Sequence, residues 1–270
     1  MKKLSKAIIH VYTVCKNEIE ILPHIIAYYE SIADKIIVFD NQSTDGSKEY
    51  IQAHPLCTLI EYDTKNELRD DIHMIIKNSA WKESIGIADW VIVSDLDEIV
   101  FHKNLLQELD QYKVQGISIP NIEGFNMISE SYPITGIPIT QQVRYGAYSK
   151  QFSKNLIFDP NKVVEINYTP GGHSIEPTGE IKYGGSLKLL HLKYLGSNER
   201  LLDRWNDVGK TLSKINVENN WGIERVKPEI ILYRVETVKK NAELVIDNSF
   251  FEIVSRIKKI FKKRNTKLTF

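Results

Sequence analysis

Three carboxylates, Asp95, Asp97 and Glu98, stand within four positions in "WVIVSDLDEIV" (90–100), directly after a run of Val and Ile suited to burial. Carboxylates about 4 Å apart repel by roughly 4 kcal/mol at an effective dielectric near 20, so a fold that gathers them needs a counter-charge. A metal ion is the first candidate for that charge. In a strand, alternate side chains share a face, so Asp95 and Asp97 are expected to point the same way past the end of a sheet while Leu96 anchors the other side. Two oxygen ligands on one side suit Mg2+ or Mn2+, which complete their shells with substrate phosphates and water; a bound diphosphate is then implied. The plainer role for these acids is to sit near the positive N-terminus of the next helix, and Glu98 suits that role best.

A second polar cluster, "FDNQSTDGS" (39–47), follows another apolar run. Asp40 and Asn41 offer acceptors and donors suited to a ribose or a base edge, Ser43 or Thr44 can cap a helix, and Gly46 permits a tight backbone. Arg69, Asp70 and Asp71 come after a third apolar run, where they either reach a nucleoside from the opposite wall or set acids on a helix N-terminus.

The elements that must position these residues follow from the hydrophobic period. "AIIHVYTV" (7–14), "KIIVFD" (35–40), "CTLIEYD" (57–63) and "DWVIVSD" (89–95) read as strands. Between them, "EIEILPHIIAYYESIA", "STDGSKEYIQAH" and "LRDDIHMIIKNSAWKESIG" read as helices, and a helix over "KNLLQELDQY" leads to a strand at "GISIP" (116–120). Such alternation implies an α/β fold with a mostly parallel sheet flanked by helices and a ligand site at the carboxyl ends of its strands, where Asp40 and Asp95 both fall. From about residue 121 the pattern loosens into Gly-, Pro- and Tyr-rich connections, with a strand at "SLKLLHLKYLG" (186–196) and a helix over "NERLLDRWNDVGKTLSKI" capped by Ser197 or Asn198. The organisation expected is a nucleotide-binding half (1–120), an acceptor-side half of the same domain (121–215) and a helical extension (216–270). The last stretch, "SFFEIVSRIKKIFKKRNTK", sets Phe250, Ile253, Val254, Ile257 and Phe261 on one face of a basic amphipathic helix, suited either to an anionic membrane surface or to packing on the domain.

Composition bounds the rest. Lys+Arg and Asp+Glu balance at 35 each, so no global field draws the chain to nucleic acid. Cys15 and Cys57 are isolated, which argues against a disulfide framework or zinc site and fits a reducing compartment, the cytoplasm by default. "MKKLSKAIIHVYTVC" reads as a first strand rather than a signal peptide, and no apolar run is long enough to span a bilayer.

Taken together, "VCKNEIEILPHIIAYYESIADKIIVFDNQSTDGS" followed about fifty residues later by "ADWVIVSDLDEI" resembles the family-two-like glycosyltransferases of bacterial polysaccharide loci, which have the GT-A fold. The resemblance covers roughly residues 7–215, because "GFNMISESYP", "GGH" and "LLHLKYLG" also look like later parts of that group. It implies that Asp40 contacts the nucleotide, that Asp95 and Asp97 are the "DxD" metal site for Mn2+ or Mg2+, and that a His after the sheet completes the metal shell; His191 is the match. The chain departs from the commonest pattern at Asn41, where a second Asp is frequent, and in having no clear acidic pair to mark the catalytic base.

An inverting sugar transfer needs a carboxylate or His within reach of the acceptor hydroxyl. Glu123, Glu130, His173 and Glu176 all lie in the loosened region, and Glu130, in an apolar loop, and His173, in "PGGH", are preferred. Trp81, Trp90, Trp205 and Trp221 can stack on a sugar, though core packing is the commoner use of tryptophan.

The expected activity is therefore a metal-dependent, inverting glycosyltransferase. It would move a sugar from a nucleoside-diphosphate donor, held by Asp40, Asn41, Asp70 and Asp95, onto a glycan or lipid-linked saccharide. Two other readings stand beside it: a haloacid-dehalogenase-like phosphatase with Asp95 as nucleophile, and a non-catalytic carbohydrate-binding module, against which the cost of leaving Asp95 and Asp97 without a metal is the argument.

Overall fold

Strand β1 (Ile9–Cys15) is buried along its whole length, as expected of a strand with neighbours on both sides and helices on both faces. The computed structural model describes residues 7–223 and 227–247. From β1 the chain runs through α1 (Leu22–Glu30), β2 (Lys35–Asp40), α2 (Ser47–Ala53), β3 (Cys57–Glu61) and α3 (Asp70–Ser79), which a 3-10 turn over Ala80–Ser84 leads into β4 (Trp90–Asp95). Pro23 occupies the first turn of α1, where its missing N–H leaves no bond unmade. β1 pairs in parallel with β2 on one side and β4 on the other, and β2 pairs in parallel with β3. Period-two alternation sorts the two faces: Ile9, Val11, Ile36, Val38 and Ile92 pack with α1, whereas Tyr12, Ile37, Val91 and Val93 pack with Trp81 and Phe158.

The strand order β3-β2-β1-β4 reverses direction at β1, so the carboxyl ends of β1 and β4 flank a topological switch point, with Val14 in register with Asp95. The chain then changes sheet. Leu96 and Asp97 form a turn, and β5 (Glu98–Phe101) begins at once. After α4 (Leu105–Gln115) follow β6 (Ile119–Ser129), α5 (Ile139–Gln142), β7 (Tyr145–Tyr148), β8 (Ile157–Phe158), β9 (Val163–Glu165), β10 (Thr178–Gly179) and β11 (Tyr183–Leu195). The remainder is α6 (Asn198–Gly209), α7 (Lys214–Glu218), α8 (Pro228–Asn241) and β12 (Glu243–Leu244). β8 closes the first sheet antiparallel to β4, β9 and β10 pair with each other, and a second sheet has the order β12-β7-β6-β11-β5.

Three sequence expectations change here. The "GISIP" strand is the start of the long β6, which belongs to the second sheet rather than extending the first. Glu98 does not cap a helix; it opens β5, and its side chain is buried against a lysine. The helix expected over 198–215 is two, α6 and α7, because Ser213 caps the second by accepting the Asn216 N–H just as Ser197 caps the first by accepting that of Arg200. The change from one sheet to the other falls at residues 95–98, upstream of the division at 120. Among the described residues no helix is long and apolar enough to cross a membrane. The basic amphipathic stretch at 249–270 lies outside the described residues.

Candidate functional site

A cleft of about 600 Å³ opens over the joint between the sheets, and Asp95, Leu96, Asp97 and Glu98 all line it. Its rim is built from the loops that follow β1, β2 and β3. Asn17, Gln42, Lys65 and Asn66 in these loops have positive φ (52°, 54°, 55° and 63°), a conformation costly for non-glycine residues and common where a site is shaped. The rim is cross-braced: Ser43 Oγ accepts the Asn17 N–H, Asn17 Oδ1 accepts the Thr44 N–H, and Asp45 accepts the Ile19 N–H.

The counter-charge for the three acids is provided by the chain itself. Lys77 Nζ lies 2.6 Å from Asp95 Oδ1, and Lys154 Nζ lies 2.7 Å from Glu98 Oε1 and 3.8 Å from Asp95 Oδ2. Both lysines are buried, and Lys77 is the one buried residue of α3. Lys154 also donates to the Gly171 carbonyl. Burial alone would raise the Asp95 carboxyl, but the Lys77 and Lys154 ammonium groups hold it well below the usual carboxylate range. The cost assigned to metal-free acids in the sequence reading is therefore met, at Asp95 and Glu98, by two ammonium groups.

Asp97 has a different partner. Glu98, His191 and Asn126 stand in register across β5, β11 and β6, so their side chains share one row of the second sheet. His191 Nδ1 donates to Asn126 Oδ1 at 2.7 Å, and His191 Nε2 faces Asp97 Oδ2 at 3.5 Å. With Nδ1 used as the donor, a neutral ring presents the Nε2 lone pair to a carboxylate oxygen, and two acceptors so placed need a proton or a cation between them. Burial would raise the Asp97 carboxyl; when a proton lies between the two groups, the charged His191 ring and its hydrogen bond hold that carboxyl well below the usual range. Phe152 stacks flat on the His191 ring, centroids 3.8 Å apart. Phe152 is brought there by Gly124 of β6, because a Cβ on Gly124 would lie 2.1 Å from the Phe152 carbonyl carbon and oxygen.

Among the described residues, no three or more His, Cys, Asp and Glu side chains are gathered to hold a metal ion. Mg2+ and Mn2+ need only one or two protein ligands when phosphate oxygens and water complete the shell, and Asp97 with His191 Nε2 fits that requirement. Asp95 fits less well as a direct ligand, since each of its oxygens already faces an ammonium group.

The other expected site residues divide clearly. Asp70 and Asn41 line the cleft, but their polar atoms are engaged: Asn41 pairs with Thr64 through both Nδ2 and Oδ1, and Asp70 Oδ2 accepts from Asn216 Nδ2 at 3.0 Å. Asp40 is fully buried outside the cleft lining; its Oδ2 accepts the Ser43 N–H, and its Oδ1 has no hydrogen-bond partner among the described residues. Arg69 and Asp71 pair with each other away from the lining. His173 lines the cleft, edge-on to Phe152, and partial desolvation with the nearby Lys154 charge lowers its imidazole pKa. Glu130, Glu123 and Glu176 are exposed and lie outside the lining.

Lys77, Lys154, Asn126, Phe152 and the Glu18–Arg204 pair were not anticipated. Only Lys77 left a local signal, since Asp70, His73 and Lys77 recur at helical spacing and all three face the cleft. Arg204 of α6 makes two bonds to the Glu18 carboxylate, at 2.5 and 2.7 Å, tying α6 to the loop after β1. No protein-family model matches this chain, and no curated protein matches it as a relative.

Proposed function

We propose that the chain is a glycosyltransferase of the GT-A kind, moving a sugar from a nucleoside diphosphate to a saccharide hydroxyl. The observation that carries this reading is the placement of Asp95 and Asp97 at the switch point of a parallel sheet, in the floor of a cleft large enough for a nucleotide and a sugar, with His191 Nε2 facing Asp97. Asp97 and His191 would hold a divalent cation, Mn2+ or Mg2+, which when bound supplies positive charge for the departing diphosphate.

The chain's own groups account for the remaining requirements. Lys77 and Lys154 fix the Asp95 carboxylate in one ionised orientation, and Asn126 fixes the His191 ring. His173, neutral because its pKa is lowered, takes the proton from the acceptor hydroxyl as that oxygen bonds to the anomeric carbon and the bond from that carbon to the diphosphate breaks. Glu130 is exposed and outside the cleft lining, which favours His173 for this role. The acceptor is a glycan or a lipid-linked saccharide.

Thermal stabilisation against a panel of nucleoside diphosphates, each with Mn2+, Mg2+ or chelator, tests the reading. The expected result is a metal-dependent shift with one nucleoside, lost in Asp97→Ala. Absence of any shift in folded protein would overturn it. The lysine pairing of Asp95 and Glu98 also favours a second reading, a carbohydrate-binding module that needs no metal, and glycan binding indifferent to metal and nucleotide would support that one instead.

A further inference from the structure

Of the four tryptophans, Trp81, Trp90 and Trp205 are buried, whereas Trp221 is half-buried and lines the cleft. Its position is specified closely. Asn220 (φ 59°) and Gly222 (φ 67°) on either side are both left-handed, so the chain bends sharply before and after the indole. The Trp221 N–H donates to the Asn216 carbonyl at 2.8 Å. Asn216 is fully buried and joins this segment to the start of α3, accepting the Asp70 N–H with Oδ1 and donating to Asp70 Oδ2 with Nδ2. The Leu68 N–H donates to the Thr211 carbonyl at 2.6 Å, and the Ser213 N–H to the Leu68 carbonyl. Residues 211–222 thus form a strap fastened across the loop between β3 and α3, on the side of the cleft where the parallel strands end.

That side carries the surfaces a planar heteroaromatic ring requires. Tyr62, Leu68 and Trp221 supply flat or apolar area, and Asn66, His73 and Asn220 supply polar atoms around it. His173 and Phe152 belong to the other side, with the second sheet. A base has two π faces and an edge of donors and acceptors, and stacking on an indole suits it whatever its identity.

We infer that the strap completes a nucleoside compartment and that the Trp221 indole stacks on the base of the donor nucleotide. This rests on the transferase reading and adds to it a contribution from the C-terminal part of the chain to the donor site.

The test is titration of full-length protein with UDP, CDP, GDP, ADP and dTDP in the presence of Mn2+, with inorganic pyrophosphate and Mn2+, and with methyl pyranosides. Intrinsic fluorescence and calorimetry are read on wild type, Trp221→Phe and Trp221→Ala. The expected result is that the nucleotide that binds quenches an emission component absent from Trp221→Phe. Its affinity should fall roughly tenfold to a hundredfold in Trp221→Ala and be largely kept in Trp221→Phe, while pyrophosphate binds all three alike. Equal nucleotide affinity in wild type and Trp221→Ala overturns the inference and leaves the transferase reading standing. So does a parallel loss of pyrophosphate binding, or quenching of Trp221 by methyl pyranosides instead of nucleotides. Failure of wild type to bind any nucleotide overturns both.

Discussion

Lys154 is the residue on which the carboxylate cluster most depends. Its ammonium and the Glu98 carboxylate are both about 1% exposed, so neither can be re-solvated if the other is removed. Breaking a buried pair on one side costs about 3–5 kcal/mol, whereas replacing both partners by neutral groups is often far less damaging. Lys154→Met is therefore expected to lower stability by about that amount, and Lys154→Met with Glu98→Gln to recover much of it. Urea unfolding of the four proteins of this cycle gives the answer; additive losses would show that the pair is not coupled. His173 yields a pH prediction at the same scale. Its lowered pKa keeps it a competent base above that value, so the acid limb of kcat/KM for transfer should have its midpoint below the ordinary imidazole value of 6.5. That limb should disappear in His173→Ala along with most of the activity, and an unchanged profile in the variant would remove His173 from the mechanism.

Among elements, the joint between β4 and β5 has the largest consequences. A strand that ends in a sheet usually releases its chain into a loop, but here Asp95 closes β4 and Glu98 opens β5 with two residues between them. Each acid is therefore held by a sheet: Asp95 by the parallel one, Glu98 by the row it shares with His191 and Asn126. β6 fixes the opposite wall through Gly124. A methyl group there has no space, and overpacking of this kind costs about 1–3 kcal/mol where the neighbour can move and more where it is backbone, as it is here. Gly124→Ala should lower the thermal midpoint and move Phe152 off the His191 ring. The second effect is visible as a changed His191 chemical shift in NMR spectra, and an unshifted resonance would mean that the stack does not depend on Gly124.

At the level of the whole molecule, the cleft brings acids and bases together in near balance, and stability should depend on acid pH. Asp95 and Asp97 are both held below their ordinary values in the folded chain. Groups lowered in this way contribute stability above the unfolded carboxylate pKa of about 3.9, and that contribution is lost as pH falls through that value toward the lower folded ones. Asp95→Asn should therefore be less stable than wild type at neutral pH and should lose less stability on acidification from about pH 6 to pH 3. Thermal midpoints measured across that range decide it; parallel curves would show that Asp95 is not held ionised by the two lysines.

Local pattern in the chain was enough to read the order of strands and helices through β4, and α4 beyond it, but not β5 between them; it also put Asp95 and Asp97 at a strand end. Both are local matters: a period of two or of 3.6 residues, and a run of apolar residues ending in acids. It also marked His191, an imidazole interrupting an apolar strand, and a cap at Ser197 or Asn198, of which Ser197 is the one formed. Which charges meet is set by the packing of the elements. Lys154 lies in the connection before β8 and Glu98 in β5, the row from Glu98 to Asn126 crosses three strands, and Asn216 reaches Asp70 across 146 residues of chain. Asp40 and Asn41 show the reverse case. Their residue types suited a nucleoside, but Asp40 is folded beneath its own turn and Asn41 is bonded to Thr64. Local pattern specifies where a side chain lies along an element, whereas its partner is set by the packing of elements distant in sequence, which hydrophobic periodicity does not encode.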